Sequence, residues 1–168
     1  MKKFKNKLKD NFLKTRPTES LDNDNDTLTK RMKFNFSYLD CDQPGCDKIS
    51  DWKDIQLHKL FEKLKEYSRE NIGHWEHEPI GGGNKRRCIY ENYIIFPTHS
   101  ELKQPNYVPH QVQWGRFRLE AKMRLAGFVV PIEYHDEIHK KTGLRFDKNT
   151  FYVVFLDSKH KFYPVEPK

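Results

Sequence analysis

Two short basic stretches hold the side chains best suited to chemistry. In WGRFRLEAKMRL, residues 114–125, Arg116 and Arg118 stand two apart and Arg124 follows. In DSKHKFY, residues 157–163, Lys159, His160, Lys161 and Tyr163 crowd behind Asp157. Arginine forks grip phosphate through paired N–H donors. An imidazole moves protons near neutral pH, and fixed cations stabilise charge developing on a phosphate. A tyrosine stacks on a base or hands over a proton. With a 2′-hydroxyl as the internal nucleophile, these groups suffice to cut RNA, so neither metal nor cofactor is expected. The competing reading makes KHK a solvated strand exit and Tyr163 a packing residue beside Pro164.

Two further groupings carry weaker signals. Cys41-x4-Cys46 and His74-x2-His77 are ligand types that zinc accepts, yet eight histidines make chance pairs common. Free thiols are the expected state and no metal site is assigned. PIGGGNKRR, residues 79–87, offers backbone amides and three cations to a phosphate. It lacks the preceding strand and the Lys-Ser/Thr helix start of a nucleotide loop, so it reads as a mobile basic loop.

The elements that must position the basic residues follow from periodicity. Strands are expected over 32–39, 88–96, 111–121, 123–134 and 151–157, from alternating or continuous Val, Phe, Tyr and Ile. On the third, Arg116, Arg118 and Trp114 share one face, while Phe117 and Leu119 point to the other. A turn near 120–123 would set Arg124 beside Arg118. Three guanidiniums on one face need an anion or carboxylates between them, and Glu120, Glu133 and Asp157 are the candidates. The periodicity predicts a helix over 51–71, capped by Ser50 or Asp51, burying Trp52, Ile55, Leu60, Phe61, Leu64 and Tyr67. No long helix is available for parallel crossovers, which favours antiparallel pairing. The fold class is therefore α+β, with an N-terminal helical layer on an antiparallel sheet of four or five strands.

Composition bounds the rest. The 168 residues suit one domain, read as 31–168, behind a flexible tail. Within residues 1–30 a lysine-rich stretch with Phe4, Leu8 and Phe12 at helical spacing precedes a polar linker. A formal charge of +7 favours polyanionic partners such as RNA or an acidic protein. No apolar run approaches the roughly 18 residues of a membrane span, so no membrane partner is expected. Three cysteines, an odd and sparse set, suit a reducing compartment, and the cytoplasm is the expected location.

The strand order over residues 110–164, with W and arginines, then MRLAGF, a loop, and FYVVFLDSKHKFY, resembles the RelE/HigB-like toxin superfamily. That resemblance implies a small α+β endoribonuclease that cuts mRNA, usually on the ribosome, and is held inactive by a partner antitoxin. It implies phosphate-binding roles for Arg116, Arg118 and Arg124, and acid/base or base-stacking roles for His160 and Tyr163. The chain is longer than that pattern, with a strand before its main helix and a longer loop before its last strand. The closing FYVVFLDSKHKFYP also resembles the end of a group of bacterial proteins. The leading expectation is a toxin-like, metal-independent endoribonuclease, with catalytic His160, Tyr163 and Arg118. Arg116, Arg124, Lys159 and Lys161 would bind the nucleic acid. The alternatives are a non-catalytic basic module for a protein or nucleic-acid partner, and a zinc-stabilised binding domain.

Overall fold

The computed structural model describes residues 6–16, 20–21, 28–81 and 87–164. Helix α1 (Lys7–Lys14) leads, followed by strand β1 (Lys33–Asn35) and helices α2 (Asp54–Tyr67) and α3 (Ile72–His77). Strands β2 (Pro79–Ile80), β3 (Arg87–Cys88), β4 (Tyr90–Ile94), β5 (Gln113–Glu120), β6 (Met123–Val129) and β7 (Thr150–Asp157) complete the order. Five strands form one sheet in the order β1-β7-β6-β5-β4, and β2 and β3 form a separate two-stranded ribbon. The architecture is α+β and the sheet is mostly antiparallel, as the sequence predicts. The exception is β1, which pairs parallel to β7. Its crossover runs through α2, α3 and β4–β6, so a parallel neighbour needed no single long helix.

Both sheet faces are covered, which explains why all seven residues of β6 are buried. On one face Phe117, Leu119, Leu125, Phe151 and Val153 pack against Leu60 and Tyr67 of α2 and Trp75 of α3. On the other, Trp114, Phe128, Val154 and Phe155 meet Leu102, Val108 and Phe162, which return from loops. The arginines lie toward one end of this second face, with Arg116 and Arg118 half-buried and Arg124 buried.

The main helix is shorter than expected and buries a narrower stripe. Asp51 lies in a preceding 3-10 turn, and Gln56 Oε1 accepts the Lys53 N–H at 2.9 Å to start α2. Leu57, Leu60, Leu64 and Tyr67 face the sheet, but Ile55 and Phe61 are 65% and 67% exposed. At about 100° per residue, Phe61 falls on the flank of that stripe and Ile55 on its far side. Trp52 is buried, but it precedes the helix.

The first strand is also shorter. Phe34 packs on the helix face against Phe117 and Phe151, and Tyr38 crosses to the opposite face against Phe128 and Tyr152. Phe36, between them, is exposed. The expected 88–96 strand is interrupted at Ile89, and 123–134 ends as a strand at Val129 because Pro131 opens a 3-10 turn, Ile132–Tyr134. The stretch read as irregular after Gly73 contains α3 and β2. Asn71 Oδ1 accepts the His74 N–H at 2.9 Å, and Trp75 Nε1 donates to the Tyr67 carbonyl at 2.8 Å. The flanks of the glycine-rich segment, β2 and β3, pair antiparallel, and residues 82–86 lie outside the described residues.

Helix α1 lies within the segment read as a tail, with Asn6 Oδ1 accepting the Lys9 N–H, and none of its residues is buried. Phe4 and most of the linker lie outside the described residues. Among the described residues, no helix is long and apolar enough to cross a membrane.

Candidate functional site

The site grows from strand register. The tight β5–β6 turn, with Ala121 at φ 43°, sets Arg118 opposite Arg124. Arg124 in turn lies opposite Asp157 on β7, and Arg116 opposite Glu91 on β4. Four strands thus bring Arg116, Arg118, Arg124, Glu91 and Asp157 to one end of one face.

Asp157 organises the return of the chain. Its buried carboxylate accepts the backbone N–H groups of Lys159, Lys161 and Phe162, each at 3.0 Å. That loop drives Phe162 into the core near Trp114 and Phe155. It also holds His160 at φ 63°, a left-handed conformation that few non-glycine residues adopt. Strain of this kind persists where surrounding contacts enforce it. Here the enforced turn carries the imidazole back over the arginines.

Arg116 Nη1 lies 3.4 Å from His160 Nδ1, and Arg124 Nη2 lies 3.0 Å from His160 Nε2. A neutral imidazole has one acceptor nitrogen and one N–H. At least one of its edges therefore presents an N–H to a guanidinium, donor against donor, whichever tautomer is present. The Arg124 guanidinium also donates to the carbonyls of Ala121 and Met123, at 2.9 and 2.7 Å. Its Nε is buried and has no hydrogen-bond partner among the described residues. Arg118 makes no guanidinium hydrogen bond among those residues, although its carbonyl accepts from the Tyr67 hydroxyl.

These contacts shift the titrating groups. Burial, then the positive charges of Arg124 and Arg116, push His160 down to about 4. Burial and the neighbouring Arg116 and Arg118 push Arg124 down to about 10. Burial alone would raise Glu91, but Arg116 and the hydrogen bonds from Tyr93 and Arg116 outweigh it and hold the carboxylate below its ordinary value. At neutral pH the imidazole is uncharged. The guanidiniums of Arg116, Arg118 and Arg124 thus share the end of the sheet with the carboxylates of Glu91 and Asp157.

An aromatic platform borders the cluster. Tyr93 and Tyr163 stack with centroids 4.6 Å apart and planes within 7°. The Arg116 guanidinium lies 5.6 Å from the centre of each ring, and the Tyr93 hydroxyl donates to Glu91 at 2.8 Å. Burial raises the Tyr93 hydroxyl well above its ordinary value. Tyr163 is 43% exposed and can offer an open face to a ligand.

The structure gathers His160, Tyr163, Arg116, Arg118 and Arg124, but not every residue expected with them. The Lys161 ammonium donates to the Gly45 carbonyl at 2.6 Å and fastens the returning chain. Lys159 stays exposed at the margin. Glu120 does not balance the arginines: the register slips between Arg118 and Glu120, and its carboxylate meets Lys59 at 2.5 Å. Glu133 is exposed on the 3-10 turn after β6. The carboxylate that does bind Arg116, at 2.8 Å, is Glu91, which sequence reasoning missed together with Tyr93. Their shared parity in YENY was the available signal.

The zinc constellation is not assembled. Cys46 Sγ lies 2.8 Å from the Asp40 carbonyl, and His77 Nδ1 lies 2.8 Å from the Gly73 carbonyl on α3. Among the described residues no group of three or more His, Cys, Asp or Glu side chains gathers as a metal site. Burial pushes the Cys46 thiol up to about 12, so it is a protonated packing group. The chain matches no family model, no curated protein and no solved structure.

Proposed function

We propose that the arginine–histidine face binds single-stranded RNA and cleaves it without a metal, in the manner of RelE/HigB-like toxins. The observation that carries this reading is the uncharged His160 held between Arg116 and Arg124, donor against donor, beside an Arg118 guanidinium that makes no hydrogen bond among the described residues. A phosphodiester seated there relieves the mismatch by accepting from both guanidiniums and from the imidazole N–H. The stacked Tyr93–Tyr163 pair then offers a base a flat surface, an interaction worth about 1–3 kcal/mol.

In the proposed reaction, His160 takes the proton of the 2′-hydroxyl. The 2′ oxygen forms a bond to phosphorus and the bond to the 5′ oxygen breaks. The Tyr163 hydroxyl protonates that leaving oxygen, and the imidazolium then returns its proton to the tyrosinate. The products are a 2′,3′-cyclic phosphate and a 5′-hydroxyl. Arg116, Arg118 and Arg124 stabilise charge on the non-bridging oxygens as it develops, and Arg124 is fixed in advance by its two carbonyl contacts. An acidic antitoxin covering this face would silence the enzyme and supply the missing negative charge.

The test is incubation of purified protein with end-labelled single-stranded RNA in EDTA, alongside an RNA carrying a single 2′-deoxy position at the cut. Cleavage to cyclic phosphate ends that stops at the 2′-deoxy position supports the mechanism. Binding without cleavage would transfer the same face to the alternative, a non-catalytic basic interaction module.

A further inference from the structure

A separate cleft lies on the opposite face of the sheet, between α3, the ends of β4 and β5, and the connections flanking β6 and β7. Its volume is about 530 Å³, within the range of small-ligand sites. Tyr90 lines it, is 1% exposed, and carries a hydroxyl with no hydrogen-bond partner among the described residues. A buried hydroxyl left unpaired is costly to a fold. The backbone is nonetheless shaped around it: a Cβ at Gly115 would lie 2.5 Å from Tyr90 Oη and 2.8 Å from the Glu91 carbonyl. Glycine at 115 is what admits the hydroxyl.

Around it the cleft offers mainly neutral groups. Gln113 Oε1 accepts from Asn92 Nδ2 at 3.1 Å, which leaves the Gln113 amide N–H groups unused among the described residues. Glu76 stands near enough for its charge to act on Tyr90, and it makes no hydrogen bond among those residues. Ile72, Val130 and Ile132 supply apolar walls. The groups toward a ligand thus include a hydroxyl donor, an amide donor and a carboxylate acceptor beside apolar surface, with His135 and Lys148 also in the lining. Amide and carboxylate side chains pair in this way with base edges.

We infer that this cleft is a nucleobase site, selective for bases that carry an amino group. The base would accept from Tyr90 and Gln113 and donate its amino group to Glu76. The inference is independent of RNA cleavage, because the arginines lie on the other face and nucleosides carry no phosphate for them to hold.

The test is NMR titration of the whole protein with adenosine, cytidine, guanosine and uridine, and separately with a short single-stranded oligoribonucleotide. Shifts at Gln113 and Ile72 are expected with at least one amino-bearing nucleoside, and weaker ones with uridine. Shifts from nucleosides assign a free ligand, and shifts from the oligonucleotide alone assign an unpaired base within a strand. Tyr90→Phe should weaken binding about three- to tenfold, the worth of one neutral hydrogen bond, without lowering the Tm of the ligand-free protein. Glu76→Gln should erase the preference over uridine. No shift with any probe, unchanged affinity in Tyr90→Phe, or a lower Tm in that variant would overturn the assignment.

Discussion

At the scale of the residue, His160 is the group on which the account turns. Its folded pKa, about 4, lies below the ordinary 6.5. The unfolded chain therefore binds more protons between those values, and stability should fall as pH drops from about 6.5 toward about 4. A urea-unfolding series across that window should show the slope in the wild type and a flatter one in His160→Gln. The pH profile of kcat/KM should likewise keep its activity on the acid side well below 6.5, because that limb reports the free enzyme's base. Inorganic phosphate bound between the arginines should move the His160 titration upward, read by NMR. Residue types and parity in the sequence were enough to bring Arg116, Arg118 and Arg124 together. They were not enough for Glu91, because the partner of an arginine on β5 depends on which strand lies beside it and in which register. Lys161 failed for a related reason: the carboxylate of Asp157 winds the chain back and sends that side chain to Gly45.

At the scale of the element, β7 was legible because continuous apolar residues between polar ends leave few alternatives. Helix α2 was legible in existence and in the phase set by Leu60, Leu64 and Tyr67, but not in the width of its buried stripe, since Ile55 and Phe61 are exposed. Its sequence has apolar residues on more than one side, and only the sheet decides which stripe is buried. Leu60→Ala should cost about 2–5 kcal/mol, whereas Phe61→Ala should change stability by less than about 0.5 kcal/mol, both read by urea denaturation. The β6–β7 pairing carries a bulge between Ala126 and Gly127. A Cβ on Gly127 would lie 2.0 Å from the Tyr152 carbonyl oxygen, a main-chain atom that cannot step aside. Gly127→Ala should therefore lose at least about 1–3 kcal/mol, and an unchanged midpoint would contradict the packing described. The parallel pairing of β1 was invisible in the sequence, since three residues carry no signal of direction.

At the scale of the whole molecule, apolar clusters cover both faces of the sheet, and the second face divides between such a cluster and the arginine–histidine group. The +7 charge is consistent with that division, and single-stranded RNA should bind with affinity that falls steeply with salt. Removing the Arg118 guanidinium should flatten the slope of log affinity against log salt by about 0.7 for each phosphate it neutralises. Arg118 is the cleanest choice, because its guanidinium holds no carbonyl in place among the described residues. The most direct test of the central claim is the single-turnover rate of RNA cleavage in EDTA for wild type and His160→Ala, with equal folded content verified by circular dichroism. General acid–base catalysis is worth about 10²–10⁴ in rate, so His160→Ala should lose activity of that order with RNA affinity largely kept. Equal rates in the two proteins, or a wild type that binds RNA and never cuts it, would contradict the claim.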